Sequence, residues 1–296
     1  MAGVSTDRRS LAAGLAGRRI PHDSHPMSFR FAVAVLAAPC TLAGQTAAVP
    51  GVPIPAPDTF TVASSALGET RRINVHTPAG YDTATAQRFP VLYMPDGGVD
   101  EDFPHVVRTV DSLTAARAIR PVIVVGIPNT QRRRDLTGPT RFKTDSAIAP
   151  RVGGSAAFRA FIRGELIPAV EARYRTTDER SIVGESLAGL FVVETFLREP
   201  RLFRHWVALD PSVWWNGNIL VDSASAYLTR SGATSATLVL ASSNEPEIAS
   251  GTARIARTLQ SANRTGLVVD YTPRPDLTHA TIYRGEGPAA LARALR

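Results

Sequence analysis

The stretch RSIVGESLAGL, residues 180–190, decides how this chain is read. The apolar run 181–183 predicts a short strand, and the apolar run 187–197 predicts a helix directly behind it. Between them stands Gly-x-Ser-x-small, the sequence of a nucleophile elbow. In such a turn a serine hydroxyl stands clear of a sharp strand-to-helix bend. That geometry requires small residues two positions before and two positions after the serine, because both approach the bend. Gly184 and Ala188 satisfy it around Ser186, although Ala188 stands where the stricter motif has a second glycine. Gly189 allows the helix to lie close on the sheet. The helix N-terminus would aim the Leu187 N–H at an oxyanion. Taken alone, the pentapeptide also fits a plain turn capped by a serine, so the segments around it must decide.

Outward from the elbow, strands and helices alternate. Strands are expected at 89–94 (FPVLYM), 121–127 (PVIVVGI), 205–209, 236–241 (ATLVLA) and 266–271 (GLVVDY). Helices are expected at 106–119, 154–175, 187–197, 219–229, 248–262 and 289–295. The 154–175 helix is the clearest, with Phe158, Phe161, Ile162, Leu166 and Val170 at helical spacing. Residues 128–153 read as a long arginine-rich loop. Two further strands, 59–64 and 71–76, flank a glycine-containing turn and read as an antiparallel hairpin. Near-continuous β-branched strands between helices imply a mostly parallel sheet covered on both faces. The expectation is one doubly wound α/β domain over 59–296, opened by the hairpin.

Composition excludes several classes. The chain has 296 residues, 44 % hydrophobic and 20 % charged, which is ordinary for a globular protein and ample for a core. A single cysteine, Cys40, rules out an internal disulfide and any CxxC metal site. Six scattered histidines offer no HExxH spacing, so no metal is expected. The net charge of +7 would suit nucleic acid, but the arginines are dispersed among acidic residues and no recognition module appears. No nucleic-acid partner is expected.

The first 58 residues have another character. Residues 27–48, MSFRFAVAVLAAPCTLAGQTAA, carry Arg30 ahead of a short apolar run and then small residues, the pattern of a signal peptide. Eight to ten apolar residues are too few to span a bilayer, which takes about 20, so no stable membrane insertion is expected. Residues 1–48 are read as an export signal with an extension. Met27 is a plausible start, cleavage is expected within 44–48, and the protein would be periplasmic or secreted. Residues 49–58, VPGVPIPAPD, form a proline-rich leader.

Several longer stretches carry a resemblance. They are FPVLYMPDGG (89–98), PVIVVGIPNTQRRRDLTGPT (121–140), GGSAAFRAFIRGELIPAVEARYRT (153–176), GESLAGLFVVETFLREPRLF (184–203) and ALDPSVWW (208–215). Over about 59–295 the chain resembles the putative-esterase (esterase D-like) family of α/β-hydrolases, and among them the bacterial periplasmic siderophore-esterase type. That resemblance implies the α/β-hydrolase fold, Ser186 as nucleophile, and partners following it in the order acid, then histidine. His279, in PDLTHATIY, is the histidine so placed. For the acid, the family's position after the preceding strand is occupied by Glu245, with Glu247 as the alternative. Asp210 also ends a strand and competes geometrically, Asp276 lies near His279, and some siderophore esterases manage with a Ser–His dyad. The oxyanion donors implied are the amides of Leu187 and Gly98.

The residues facing a substrate are expected to come from two loops. Arg132 and Arg134, past the carboxyl end of a strand, could hold an anionic or catecholate group. Trp214 and Trp215 could wall an acyl or aryl pocket. The function so implied is an exported serine hydrolase that cleaves a small-molecule carboxylic ester through an acyl-enzyme, without a cofactor. A siderophore esterase is the first specific reading. An acyltransferase or an aryl- or acetyl-polysaccharide esterase shares the fold, and a non-catalytic ligand-binding homologue is a third class.

Overall fold

The computed structural model describes residues 56–148, 151–230 and 235–296. The expected export signal, and all but the last residues of the proline-rich leader, lie outside them. Among the described residues, eight strands form one sheet in the order β1-β2-β4-β3-β5-β6-β7-β8. β1 (Asp58–Ser64) and β2 (Glu69–His76) are the expected antiparallel hairpin, and β2 joins the sheet antiparallel to β4 (Ile123–Ile127). The remaining pairs are parallel: β3 (Phe89–Pro95), β4, β5 (Thr176–Glu185), β6 (His205–Leu209), β7 (Ala236–Ser242) and β8 (Leu267–Pro273).

Alternate residues of the central strands enter two separate cores, as the two-residue period of a strand requires. Tyr93 of β3, Trp206 of β6 and Leu238 of β7 point to one face. There they meet α4 (Ser155–Phe161), α5 (Ile167–Arg173), α6 (Ser186–Arg198), α7 (Trp215–Arg230) and α8 (Pro246–Ser261). Met94, Val207 and Val239 point to the other face, against α1 (Phe103–Ala115) and α9 (His279–Ala294). This is the doubly wound α/β-hydrolase architecture. None of the helices among the described residues is long and apolar enough to cross a membrane.

Three local expectations need correction. The expected 154–175 helix runs as adjoining helical segments from Ser155 to Arg173, with a π turn at Ile162–Leu166 between α4 and α5. The loop 128–153 holds two short helices, α2 (Arg132–Leu136) and α3 (Lys143–Ile148). The last helix begins ten residues earlier than expected, at His279 itself. Gly285, Gly287 and Pro288 hide its periodicity in the sequence. Burial of Ile282, Tyr283, Ala290 and Leu291 against the sheet outweighs their low propensity.

Candidate active site

Ser186 follows β5 and adopts a left-handed backbone, φ 59°. A side chain in that region is strained and needs a surrounding that holds it. Gly184 supplies part of that surrounding. A Cβ on Gly184 would lie 2.6 Å from the Ala188 carbonyl and 2.8 Å from the Ala188 Cβ. The bend therefore closes only on glycine at 184, and it leaves room for the single methyl of Ala188.

β5 and β6 pair in parallel with Glu185 opposite Leu209. The next residues, Ser186 and Asp210, therefore leave adjacent strands at one level of the sheet. Asp210 is also left-handed, φ 45°. Its N–H donates to the Ala241 carbonyl at 2.8 Å, and the Ser212 N–H donates to the Ser186 carbonyl at 3.0 Å.

His279 reaches this point as the first residue of α9. Its helix is started by a capping box in which the Thr278 N–H donates to Thr281 Oγ1 at 3.0 Å. The loop before it is tied to the end of β7, with the Arg274 N–H on the Ser242 carbonyl and the Asn244 N–H on the Leu277 carbonyl. Glu286, buried on α9, accepts from Arg274 and Arg293.

The three side chains meet in one line. His279 Nε2 lies 3.0 Å from Ser186 Oγ, and His279 Nδ1 lies 2.6 Å from Asp210 Oδ2. With an ionised carboxylate on Nδ1, that nitrogen carries the proton and donates, which leaves Nε2 to accept from the Ser186 hydroxyl. Asp210 is fully buried. Burial pushes its carboxyl up, but hydrogen bonds from His279, from the Ser243 N–H and from the Ser243 hydroxyl outweigh this and hold it below the ordinary range. The two Ser243 bonds are 2.6 and 2.7 Å. The hydrogen bond to Asp210 lifts the imidazole above its usual value; burial opposes this, and Glu185 adds to it.

The acid expected at Glu245, or at Glu247, is thereby corrected. Both are exposed and line the cavity in front of Ser186, with no hydrogen bond to His279. The loop after β7 supplies Ser243, whose N–H and hydroxyl bond Asp210, and not a carboxylate on the imidazole. The physical reason lies in sheet order. β6 is the immediate neighbour of the serine strand, so a residue at its end meets the imidazole directly. Asp276, the other neighbour in sequence, is taken up by Arg274 at 2.7 Å.

The second oxyanion donor is also corrected. The Gly98 N–H donates to Glu101 Oε2 at 2.7 Å, and the Gly97 N–H donates to the Ile127 carbonyl at 3.1 Å. A Cβ on Gly97 would fall 2.2 Å from the Ile127 nitrogen, so this turn is packed flush against β4. In this conformation the glycine pair serves the turn. Leu187, in the first turn of α6 where amides lack intrahelical acceptors, lines the cavity with Ser186.

That cavity has a volume of about 440 Å³ and is walled by Arg132, Arg133, Trp214, Trp215 and Ile248. Arg132 forks onto Asp96, Nε to Oδ1 at 2.7 Å and Nη2 to Oδ2 at 2.8 Å. Arg134 does not line the cavity. It turns the other way, to Asp135 at 2.6 Å and Glu69 at 2.9 Å, and anchors its loop. Trp215 is buried and donates Nε1–H to the Gly138 carbonyl at 2.9 Å, while Trp214 is partly exposed beside it. Among the described residues, Glu185, Asp210 and His279 offer metal-ligating atoms within 4.8 Å of one another. Here both imidazole nitrogens are engaged by Asp210 and Ser186, an arrangement suited to proton transfer.

Comparison with known proteins agrees with the fold. The family model described as "Putative esterase" matches residues 64–268. The chain is 30 % identical over 166 residues to the ferri-bacillibactin esterase BesA of Bacillus subtilis, covering 51 % of this chain and 55 % of that protein. It is 27 % identical over 196 residues to the siderophore triacetylfusarinine C esterase of Aspergillus fumigatus, covering 60 % of this chain and 63 % of that protein. The matches thus span little more than half the length of these curated relatives. Among solved structures, an IroE-like serine hydrolase from Shewanella oneidensis superposes with a TM-score of 0.73 at 24 % identity, covering 81 % of this chain and 80 % of that one. At that identity the likeness is one of fold.

Proposed function

The chain belongs to the Putative esterase family, and from that premise we propose that it is a serine esterase that cleaves carboxylic esters through an acyl-enzyme. The observation that carries this reading is the line Ser186 Oγ, His279, Asp210, at 3.0 and 2.6 Å. In the first half-reaction His279 Nε2 takes the Ser186 proton as Oγ bonds to the ester carbonyl carbon. The carbonyl oxygen becomes an oxyanion facing the Leu187 N–H. Asp210 stabilises the imidazolium and fixes its tautomer. The ring then gives its proton to the departing alcohol. Water repeats the sequence on the acyl-enzyme.

The substrate class follows from two supports. The curated relatives are named for siderophore esters, and the cavity combines the Arg132 guanidinium with an indole wall. An ester of an anionic or catecholate siderophore suits that lining. Export is proposed from residues 27–48 alone.

Hydrolysis of a short-chain 4-nitrophenyl ester, followed by an ester panel that includes a ferric trilactone siderophore, tests the reading. Ser186→Ala should fall to the uncatalysed background. Unimpaired turnover in that variant would overturn the assignment. For the substrate class, Arg132→Gln should raise KM for the siderophore ester more than for the neutral nitrophenyl ester. Equal effects on both would remove the siderophore reading.

A further inference from the structure

Glu185 stands between Gly184 and the serine, and the reaction as described does not use it. Its side chain is only 15 % exposed. Its Oε1 atom is buried with no hydrogen-bond partner among the described residues. That atom lies 3.5 Å from His279 Nε2, the nitrogen that faces Ser186 Oγ at 3.0 Å. The imidazole is thus set between two carboxyl groups, Asp210 on its Nδ1 edge and Glu185 on its Nε2 edge. A buried carboxyl oxygen without a donor is costly unless a donor arrives during function.

We propose that Glu185 is a positioning residue, a second carboxyl partner that receives the Nε2–H of His279 once the ring has taken the serine proton. The inference rests on reading Ser186 and His279 as the nucleophile and its base. In the step concerned, the Ser186 O–H bond breaks and its electron pair forms the new bond from Oγ. The proton forms Nε2–H. The ring is then cationic, with Nδ1–H on Asp210 and Nε2–H shared between the departing group and Glu185 Oε1.

The charged groups around Glu185 decide when it helps. His279 on α9 and Arg132 on α2 favour its ionised form. Asp102, just before α1, and Asp96, after β3, oppose it, and Tyr283 of α9 is a buried phenol whose ionisation it disfavours. Burial is the largest influence and holds the carboxyl up at about 8. Below that pH Glu185 is neutral and Asp210 alone balances the imidazolium. Above it, a second negative charge faces the forming cation.

Phosphonylation of Ser186 by a fluorophosphonate needs the same proton transfer and no knowledge of the natural ester. Its second-order rate is measured on the full chain from roughly pH 6 to 9.5. The wild type should show the rise of His279 deprotonation and a second rise, about 3- to 10-fold, near pH 8. Glu185→Gln should keep the first rise and lose the second. A second rise that survives in Glu185→Gln, or wild-type and variant profiles that coincide, overturns the proposal. If Glu185→Gln does not fold by thermal unfolding, Glu185→Asp decides, because it withdraws the carboxyl by one methylene. A smaller second rise supports the proposal and an undiminished one overturns it. Ser186→Ala, run alongside, separates the two readings. Labelling that persists there removes the esterase assignment, whereas a dead Ser186→Ala with unchanged Glu185 profiles removes only this inference.

Discussion

Asp210 and Ser186 leave neighbouring parallel strands at the same level, each with a left-handed backbone, and His279 bridges them. Strand pairing and the bends that follow it set the relation of Ser186 to Asp210. The Glu185–Leu209 register fixes where both chains leave the sheet, and the two tight bends turn both side chains to one side.

The acid is the sharpest consequence. Asp210→Asn should lower kcat/KM on a nitrophenyl ester by roughly 10³- to 10⁴-fold, because the amide no longer fixes the tautomer or balances the imidazolium. Glu245→Gln and Glu247→Gln should each change it by less than about 3-fold, as expected of exposed groups without a bond to the ring. A larger loss from either glutamate variant than from Asp210→Asn would reverse the assignment.

The pH profile follows from the imidazole. Catalysis needs the neutral ring, so kcat/KM should fall as pH drops through the His279 pKa. Asp210 lifts that pKa above the ordinary 6.5, so the acid limb should lie above 6.5. Replacing Asp210 by Asn removes the main lift and should move the midpoint down. A midpoint that stays in place would show that Asp210 does not face the ring in solution.

The elbow makes a claim about stability. Gly184→Ala places a methyl 2.6 Å from the Ala188 backbone, which should cost about 1–3 kcal/mol by overpacking. Activity should fall as well, because relief of the clash displaces Ser186. Thermal unfolding and the fluorophosphonate labelling rate measure the two effects separately.

The arginine-rich loop behind Arg132 depends on a buried ion pair. Arg71 and Asp135 are each 1 % exposed and 2.7 Å apart. Arg71 also donates to the Pro128 carbonyl and lies over the Phe158 and Phe161 rings. Arg71→Met should cost about 1.5–3 kcal/mol, since it removes one of the two guanidinium partners of a buried carboxylate and leaves Arg134 at 2.6 Å. The double variant Arg71→Met, Asp135→Leu should recover much of that loss in denaturant unfolding. No recovery would mean that the pair does not act as a unit.

Much of this protein could be read from residues in order along the chain. Apolar runs with a two-residue or a 3.6-residue period mark strands and helices because each segment must bury one face. GESLA at 184–188 marks the elbow because only small flanks fit that bend. The elbow around Ser186 and the hairpin were legible on those grounds, while His279 was singled out by the resemblance and by its place after the last strand. Three features were left open or misplaced there, and each turns on which partner the packed chain supplies. Among the candidate acids, Asp210 is the one that meets the imidazole because β6 pairs beside β5, a fact of sheet order that spacing along the chain does not contain. The Gly98 amide is occupied by the Glu101 carboxylate, and Arg134 is engaged by Asp135 and Glu69. Local sequence limits which backbone shapes and faces are available. Only the packed structure settles which donor meets which acceptor, because that choice depends on how loops, helices and strands are set beside one another.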